Sequence, residues 1–302
     1  MPVNVPDKLP AISALRKENI FVMTESRASH QDIRPLRLLI LNLMPLKIVT
    51  ETDLIRMLSN TPLQVKLELL HMSTHESKHT PREHLEQFYH TFKDIREHRY
   101  DGMIITGAPV ETLSFEKVTY WEELLSIMDW TTNHVTSTLY LCWAAQAGLY
   151  HFYDVPKYPL EKKCFGIFPH TVLTKTTPLF RGFDDCFMMP HSRHTEIREE
   201  DILSVQNLKI LAKSNEAGPG IIASKNGKQI FITGHPEYSA NTLKKEYERD
   251  KAAKLPTEIP KNYFPKDDPS KKPHISWRAH ASLLFSNWLN YYVYQETPYV
   301  WE

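Results

Sequence analysis

One cysteine and a downstream histidine–carboxylate pair are the residues whose types and spacing best fit a chemical reaction. Cys142 follows the β-rich run 138–141 and precedes small, helix-favouring residues, so its thiol is predicted to lie on a strand-to-helix turn. The free N–H groups of the next helix point at such a side chain, which stabilises a thiolate and can bind a developing oxyanion. His235 and Glu237 end a later apolar strand, and positions i and i+2 of an extended chain face the same side. The pattern predicts an enzyme in which Cys142 is the nucleophile, His235 the base and Glu237 the group that orients the imidazole.

The turn after a neighbouring strand offers a second part of such a site. It is formed by residues 107–110, and its Ala108 N–H, together with the N–H of Trp143, would form an oxyanion hole. An ordinary turn explains the same spacing equally well. The cysteine turn also departs from the elbow of amidotransferases, which usually has glycine two positions either side of the nucleophile, because this chain has Tyr140 and Ala144 there.

Three other features have a less specific chemical reading. Residues 75–79 match the two-histidine zinc protease string, but their serine-, threonine- and proline-containing surroundings favour a solvated loop over the helix that zinc binding needs. The polar cluster at residues 190–194 fits either a substrate site or a structural network, and its spacing does not decide between them. Cys164 and Cys186 lie on no comparable turn, so we predict that they only pack against their neighbours.

The elements that must position the cysteine alternate between strand and helix. Strands are predicted at 36–44, 64–72, 100–106 and 137–141, and helices at 50–59, 82–98, 120–130 and 144–152. This order favours an α/β fold with a mostly parallel sheet flanked by helices, in which the site lies at the carboxyl edge of the strands. Shorter strands at 208–213, 220–224 and 229–233, with a hairpin at 225–228, would deliver the histidine.

The two ends of the chain are predicted to flank this core. Residues 1–34 contain three early prolines and are expected to be an irregular arm. A helix at 241–254 precedes an ordered loop at 255–273, and an aromatic-rich helix at 275–294 is typical of a core or a subunit contact. We predict one domain spanning residues 1–302, with the arm at 1–34 and the C-terminal loop plus helix at 255–302.

The amino-acid composition limits the kinds of molecule that the chain is expected to bind. Lys plus Arg and Asp plus Glu both number 36 among 302 residues, so there is no basic field for nucleic acid, and a small-molecule partner is favoured. Three widely spaced cysteines fit a reducing cytoplasm better than a disulfide framework. The sequence shows no secretion signal or membrane-spanning stretch and no Gly-rich phosphate loop, so we expect neither membrane insertion nor ATP or NAD binding.

The chain resembles one known family along nearly its whole length. The shared segments, in order, are residues 18–25, 30–36, 42–45, 106–109, Cys142-Trp143-Ala144, Pro190-His191-Ser192-Arg193, Thr233-Gly234-His235-Pro236-Glu237, 262–265 and 285–299. They are similar to the homoserine O-acyltransferases of methionine biosynthesis, including the alanine at position 144. This resemblance implies a class I glutamine amidotransferase-like, flavodoxin-like fold.

The resemblance also implies roles for single residues. Its members use the cysteine of the Cys-Trp segment, which here is Cys142, as an acyl-thioester nucleophile. Lys163, Ser192 and Arg249 are the implied contacts of the homoserine or acyl substrate. The implied reaction is ping-pong, with acetyl-CoA as a co-substrate, L-homoserine as the acceptor, and no metal or other cofactor; a homodimer is implied as well.

Glu111 bears on the choice of acyl donor, because the family divides between acetyl and succinyl transfer. It follows the turn at 107–110, where the resemblance implies glycine in members that use the larger donor. A carboxylate there would take up space and repel the distal carboxylate of succinate, so we predict acetyl transfer.

Three alternatives remain open at this point. A homoserine O-succinyltransferase would differ in the donor alone. A glutamine amidotransferase or γ-glutamyl hydrolase would share the thiol, the histidine and the glutamate. A non-catalytic binding protein that retains the fold is disfavoured because all three catalytic residue types occur in order.

Overall fold

The computed structural model describes residues 3–17, 22–25, 34–75 and 79–298. Its strands are β1 (Val3–Val5), β2 (Met23–Thr24), β3 (Leu36–Leu41), β4 (Val65–Leu70), β5 (Tyr89–His90), β6 (Tyr100–Ile105), β7 (Val135–Leu141), β8 (Tyr158–Val172), β9 (Cys186–Glu196), β10 (Leu208–Ser214), β11 (Gly218–Ser224) and β12 (Gln229–Ile232). Its α-helices are α1 (Ala11–Lys17), α2 (Lys47–Leu58), α3 (Arg82–Phe88), α4 (Phe92–Ile95), α5 (Trp121–His134), α6 (Trp143–Tyr153), α7 (Glu199–Ser204), α8 (Thr242–Ala252) and α9 (Arg278–Trp288). Short 3₁₀ turns lie at Phe115–Lys117, Pro178–Phe180 and Pro265–Asp267, and a π-helical segment at Leu289–Tyr294 continues α9.

The strands form one mixed sheet in the order β2-β1-β4-β3-β6-β7-β12-β11-β10-β8-β9, with β5 added beside β4. Every pairing from β2 to β12 is parallel, and every pairing from β12 to β9 is antiparallel. The predicted α/β class and the parallel strands before the cysteine are therefore confirmed. The polar residues of the later strands are delivered by a second, antiparallel part of the same sheet.

Helices cover both faces of the parallel strands. In β3, Leu38 and Ile40 pack into one apolar cluster while Leu39 and Leu41 pack into the other, and all four side chains are fully buried. Successive side chains of a strand point to opposite faces, so a run of apolar residues without alternation is what a sheet covered on both sides requires.

The register between β7 and β12 brings together the two segments that carry the predicted catalytic residues. Leu141 lies opposite Ile232 in this parallel pair, so both chains leave the sheet at the same edge. The N–H of Cys142 donates to the carbonyl of Ile232 at 2.7 Å, which extends the pairing by one residue.

Two expectations about the elements are wrong, and one element was not predicted. The arm at 1–34 is not irregular where it is described: β1 joins the sheet between β4 and β2, and α1 buries Ala11 and Leu15. Val3 and Val5 are fully buried, and their apolar contacts stabilise the strand. The early prolines lie outside β1 and α1, so they do not prevent either element from forming.

The helix expected at 82–98 is broken, because Tyr89–His90 is extended and pairs with β4. The Thr91 N–H donates to the Asp94 carboxylate at 2.8 Å, and this contact begins a separate short helix. The third difference is the long β8–β9 hairpin, which was not foreseen, since β8 contains prolines and a charged run that disguise a strand.

No helix among the described residues is long and apolar enough to span a bilayer. Parts of the shared motifs at 18–25, 30–36 and 285–299 lie outside the described residues.

Candidate active site

Cys142 lies on a strained turn between β7 and α6. Its backbone angles are φ 50° and ψ −114°, a conformation that residues with a side chain rarely adopt, and the residue is 7% exposed. Strain of this kind is concentrated at functional sites, and a strand-to-helix elbow aims the nucleophile away from the sheet edge. The predicted turn is therefore confirmed in its geometry, although Tyr140 and Ala144 replace the usual glycines.

The turn after β6 meets this elbow. A methyl group added to Gly107 would lie 3.2 Å from Cβ of Cys142 and 3.7 Å from Cε1 of His235, so the three residues share one small space. Ala108 follows directly and is buried. Trp143 is the first residue of α6, and the first N–H groups of a helix have no partner within it. The two residues whose N–H groups are predicted to form an oxyanion hole thus come directly after Gly107 and Cys142 in the chain.

His235 is held by its ring and by its backbone. Its Nδ1 lies 2.8 Å from Oε1 of Glu237, and both side chains are buried. Its N–H donates to the Pro190 carbonyl at 2.8 Å, and its ring stacks on Tyr238 with centroids 4.1 Å apart. Since Nδ1 is engaged by the carboxylate, Nε2 is the nitrogen left for the cysteine.

The electrostatics of the site favour a charged imidazole. Burial by itself lowers the pKa of His235, but the negative charges and hydrogen bonds of Cys142 and Glu237 oppose it and hold that pKa well above its ordinary value. A thiol paired with such a histidine can ionise by passing its proton to the ring. The arrangement can therefore form a nucleophilic sulfur and store the proton on the neighbouring base.

The three predicted substrate contacts lie in one cluster, joined by two carboxylates of α8. Lys163 Nζ is 3.0 Å from Oδ2 of Asp250 and 3.9 Å from Oε2 of Glu246. The Ser192 hydroxyl donates to Oε2 of Glu246 at 2.5 Å. Arg249 Nε donates to Oδ1 of Asp250 at 2.7 Å. The structure thus brings Lys163, Ser192 and Arg249 together.

Tyr238 connects this cluster to the triad, because its hydroxyl donates to Oε1 of Glu246 at 2.8 Å while its ring stacks on His235. Burial, followed by the charge of Glu246, raises the pKa of Tyr238 well above its usual range, so the phenol stays a hydrogen-bond donor. Sequence reasoning missed Tyr238, Glu246 and Asp250. The available signal was their spacing, since Glu246, Arg249 and Asp250 are at i, i+3 and i+4 and share one face of α8.

Glu111 lies between the cysteine elbow and the antiparallel strands. Its Oε2 lies 3.5 Å from the Thr195 hydroxyl, which donates its proton to Oε1 of Gln146 at 2.8 Å. Gln146 is one helical turn after Cys142, and its backbone N–H donates to the Cys142 carbonyl. Burial lowers the pKa of Lys157, an effect partly opposed by the Glu111 charge. The carboxylate thus lies close to the helix that carries the nucleophile.

The polar cluster at 190–194 divides between two roles along β9. Ser192 belongs to the cluster beside the triad, whereas His191 and Arg193 are buried on the other side and form a hydrogen-bond series with His170. Arg193 Nε donates to Nδ1 of His191 at 3.4 Å, so Nε2 of His191 must carry the proton that bridges 3.2 Å to Nε2 of His170. His170 then donates from Nδ1 to the carbonyl of Phe168 at 3.0 Å.

The zinc protease string has no described helix to support it. Its residues 76–78 lie outside the described residues, and His75 packs edge-on against Tyr120 with centroids 5.2 Å apart. Within the described part of the chain, no three His, Cys, Asp or Glu side chains are grouped so that they could hold a metal ion.

The elbow, the mixed sheet and the solved structures that it resembles define a class I glutamine amidotransferase-like fold. A glutamine amidotransferase from Thermotoga maritima superposes with a TM-score of 0.56 at 14% identity, covering 85% of this chain and 98% of its own. One from Methylobacillus flagellatus gives a TM-score of 0.55 at 11% identity, covering 90% and 100%. At these identities the likeness concerns the fold alone.

Residues 2–299 match the family model described as homoserine O-succinyltransferase, and the chain belongs to this family. A protein from Bacteroides thetaiotaomicron is 63% identical over 299 residues, covering 99% of this chain and 98% of its own. A protein from Geobacillus sp. (strain WCH70) is 62% identical over 302 residues, covering all of both chains. Both relatives are named homoserine O-acetyltransferase. The family resemblance read from the sequence motifs is thereby confirmed.

Proposed function

We propose that this chain is a homoserine O-acetyltransferase, which transfers acetyl from acetyl-CoA to the hydroxyl of L-homoserine through a thioester on Cys142. The observation that carries the chemistry is the meeting of a strained cysteine elbow with the buried His235–Glu237 pair. The full-length relatives named homoserine O-acetyltransferase support the choice of substrates.

The first half-reaction forms the acetyl-enzyme. The Cys142 sulfur attacks the carbonyl carbon of acetyl-CoA, and the resulting oxyanion accepts hydrogen bonds from the N–H groups of Ala108 and Trp143. The carbon–sulfur bond to CoA then breaks, and the departing thiolate takes the proton from His235. In this proposal Glu237 stabilises the imidazolium while it exists.

The second half-reaction reverses these roles with homoserine. His235 removes the proton from the acceptor hydroxyl as its oxygen attacks the thioester carbon, and Cys142 departs as a thiolate. Lys163, Ser192 and Arg249 are proposed to hold the amino acid, with Arg249 binding its carboxylate. Arg249 is 67% exposed and now pairs with its neighbour Asp250, so it can exchange that partner for a ligand at little cost. The steps balance without a metal or a second cofactor.

The choice between acetyl and succinyl rests on Glu111. The family description names succinyl transfer, whereas the two relatives above are named for acetyl transfer. Glu111 supports the acetyl donor, because its carboxylate is half-buried near the elbow and a like charge at the end of the acyl chain would be repelled.

We also propose a cytoplasmic location and a homodimeric assembly. All three cysteines are free, including exposed Cys186 and half-buried Cys164, which suits a reducing cytoplasm. A homodimer and a single acyltransferase domain over 1–302 are proposed from the family resemblance and from the continuous sheet.

Mass spectrometry of the protein mixed with each acyl-CoA, in the absence of homoserine, tests nucleophile and donor together. We expect one acetyl group on the peptide that contains Cys142 and slower labelling by succinyl-CoA. Faster succinyl labelling would show a succinyltransferase. Release of ammonia from glutamine, without any acyl-enzyme, would instead support the amidotransferase alternative.

A further inference from the structure

Two carboxylates on α8, Glu246 and Asp250, face the substrate cluster but have different partners. Asp250 is 7% exposed and pairs with two cations, Lys163 at 3.0 Å and Arg249 at 2.6 Å. Glu246 is 15% exposed and accepts hydrogen bonds from two neutral hydroxyls, while its nearest cation, Lys163, is 3.9 Å away. Asp250 is therefore neutralised by its neighbours, whereas the charge of Glu246 is only weakly compensated.

The two hydroxyl donors fix the direction of this carboxylate. Ser192 holds Oε2 at 2.5 Å and Tyr238 holds Oε1 at 2.8 Å, so both oxygens are anchored before any ligand arrives. A carboxylate oxygen accepts more than one hydrogen bond, and each oxygen of Glu246 retains acceptor capacity. A partly buried carboxylate held in this way is prepared for a cation that has still to bind.

The acceptor of the proposed reaction, an amino acid, supplies such a cation. An amino acid is a zwitterion, and burying it requires an anion for its ammonium group as well as a cation for its carboxylate. Arg249 and Lys163 are the cations available for the carboxylate of the ligand. Asp250 already pairs with both of them, so Glu246 is the carboxylate left for the ammonium group. Tyr238 links this carboxylate to the stacked His235, which fixes its position relative to the base.

We propose that Glu246 binds the ammonium group of the amino-acid acceptor and makes the second half-reaction selective for an α-amino acid. This inference rests on the proposed acyl transfer and adds a specificity residue to it. It assigns Glu246 no part in acylation of Cys142 by the donor, which lacks that ammonium group.

The test compares homoserine with 4-hydroxybutyrate, which has the same hydroxyl and carboxylate but no amine. For Glu246→Gln we expect kcat/KM for homoserine to fall about 10- to 100-fold, because a charge-assisted contact is lost. The value for 4-hydroxybutyrate should change by less than about threefold, since that acceptor makes no such contact. The burst of CoA released by acetyl-CoA alone is measured beside these rates, so that any change in acylation of Cys142 is separated from the change in acceptor selectivity.

Glu248→Gln is the matched control, because Glu248 is on the same helix, is 60% exposed and pairs only loosely with Lys244 at 3.8 Å. It should leave the ratio of the two acceptors unaltered. Glu246→Asp keeps the charge but shortens the reach, so its ratio should lie between those of the wild type and Glu246→Gln. This variant carries the test if Glu246→Gln does not fold.

Parallel loss of activity toward both acceptors would overturn the inference, because it would show that Glu246 acts only by supporting Tyr238 and Ser192. An unchanged ratio in both Glu246 variants would overturn it as well. Failure of the proposed function looks different: the wild-type protein would then show no CoA burst and no transfer to homoserine.

Discussion

The parallel and antiparallel parts of the sheet supply different halves of the site. The parallel part delivers Cys142 and the turn at Gly107 directly from the ends of adjacent strands β6 and β7. The antiparallel part and the segment after β12 deliver His235, Ser192 and Lys163, which are oriented by side chains from other elements.

The two regions therefore position their side chains in different ways. The proposed nucleophile, Cys142, is placed by backbone geometry, with a strained φ of 50° between one strand and one helix. The proposed base, His235, and the proposed substrate cluster depend on hydrogen bonds between side chains, some of them far apart in sequence, such as Ser192 and Glu246. Changes in the first region should therefore act on chemistry alone, whereas changes in the second should also alter protonation and selectivity.

The largest effect is expected from Cys142→Ala in the parallel region. Without the nucleophile, transfer should fall by about 10⁴-fold or more while the circular dichroism spectrum stays that of the wild type. CoA release from acetyl-CoA measures the loss. Cys164→Ala, a half-buried thiol in β8, is the control and should retain activity. Undiminished transfer by Cys142→Ala would remove the thioester from the mechanism.

In the antiparallel region, Glu237→Gln should lower kcat by about 10²- to 10³-fold, because the imidazolium loses its stabilising charge. Since Glu237 raises the pKa of His235, the substitution should lower that pKa, and the ring should lose its proton at a lower pH than in the wild type. NMR of the His235 ring as a function of pH measures this shift. Glu199→Gln, at an exposed carboxylate paired with Lys213, should leave the titration unchanged. A His235 titration that stays in place after Glu237→Gln would contradict the predicted coupling.

The smallest of these effects concerns Glu111, which lies where the two regions meet. Glu111→Gly should shift the ratio of succinyl-CoA to acetyl-CoA use by about tenfold or more, since a like charge near the acyl end is removed. Initial rates with each donor measure the ratio. Glu116→Gly is the matched control, because Glu116 follows in the same loop but bonds outward to Tyr150. An unaltered donor ratio in Glu111→Gly would exclude Glu111 as the selector.

The same contrast explains what could be predicted from the sequence. The cysteine turn and the strands at 36–41 and 100–105 were predictable because their signals are contiguous: apolar runs of strand length and an abrupt change to helix formers. The triad followed from one cysteine and a His-x-Glu pair. The roles of these residues remain predictions until they are tested.

The rest depends on partners distant in sequence. The β8–β9 hairpin is stabilised by pairing across the turn and by the close approach of Lys261 to Gly166, where an added methyl would meet backbone atoms at 2.4 Å. The strand Val3–Val5 lies between β2 and β4, and Val3 is opposite Val65, so this pairing joins residues that are distant in sequence. Glu246 and Asp250 resemble ordinary surface charges of a helix until Lys163 and Ser192 are placed against them.

The hydrogen-bonded series of Arg193, His191 and His170 affects where a proton on His235 can go. Burial lowers the pKa of His170 to about 4 and, with the neighbouring charges, lowers the pKa of His191 well below its ordinary value. Each N–H from Arg193 to the Phe168 carbonyl already has an acceptor, and the Arg193 cation repels an incoming proton. Because these neighbours resist protonation, we expect the imidazole of His235 to keep a proton that it receives in one of the proposed half-reactions until the other.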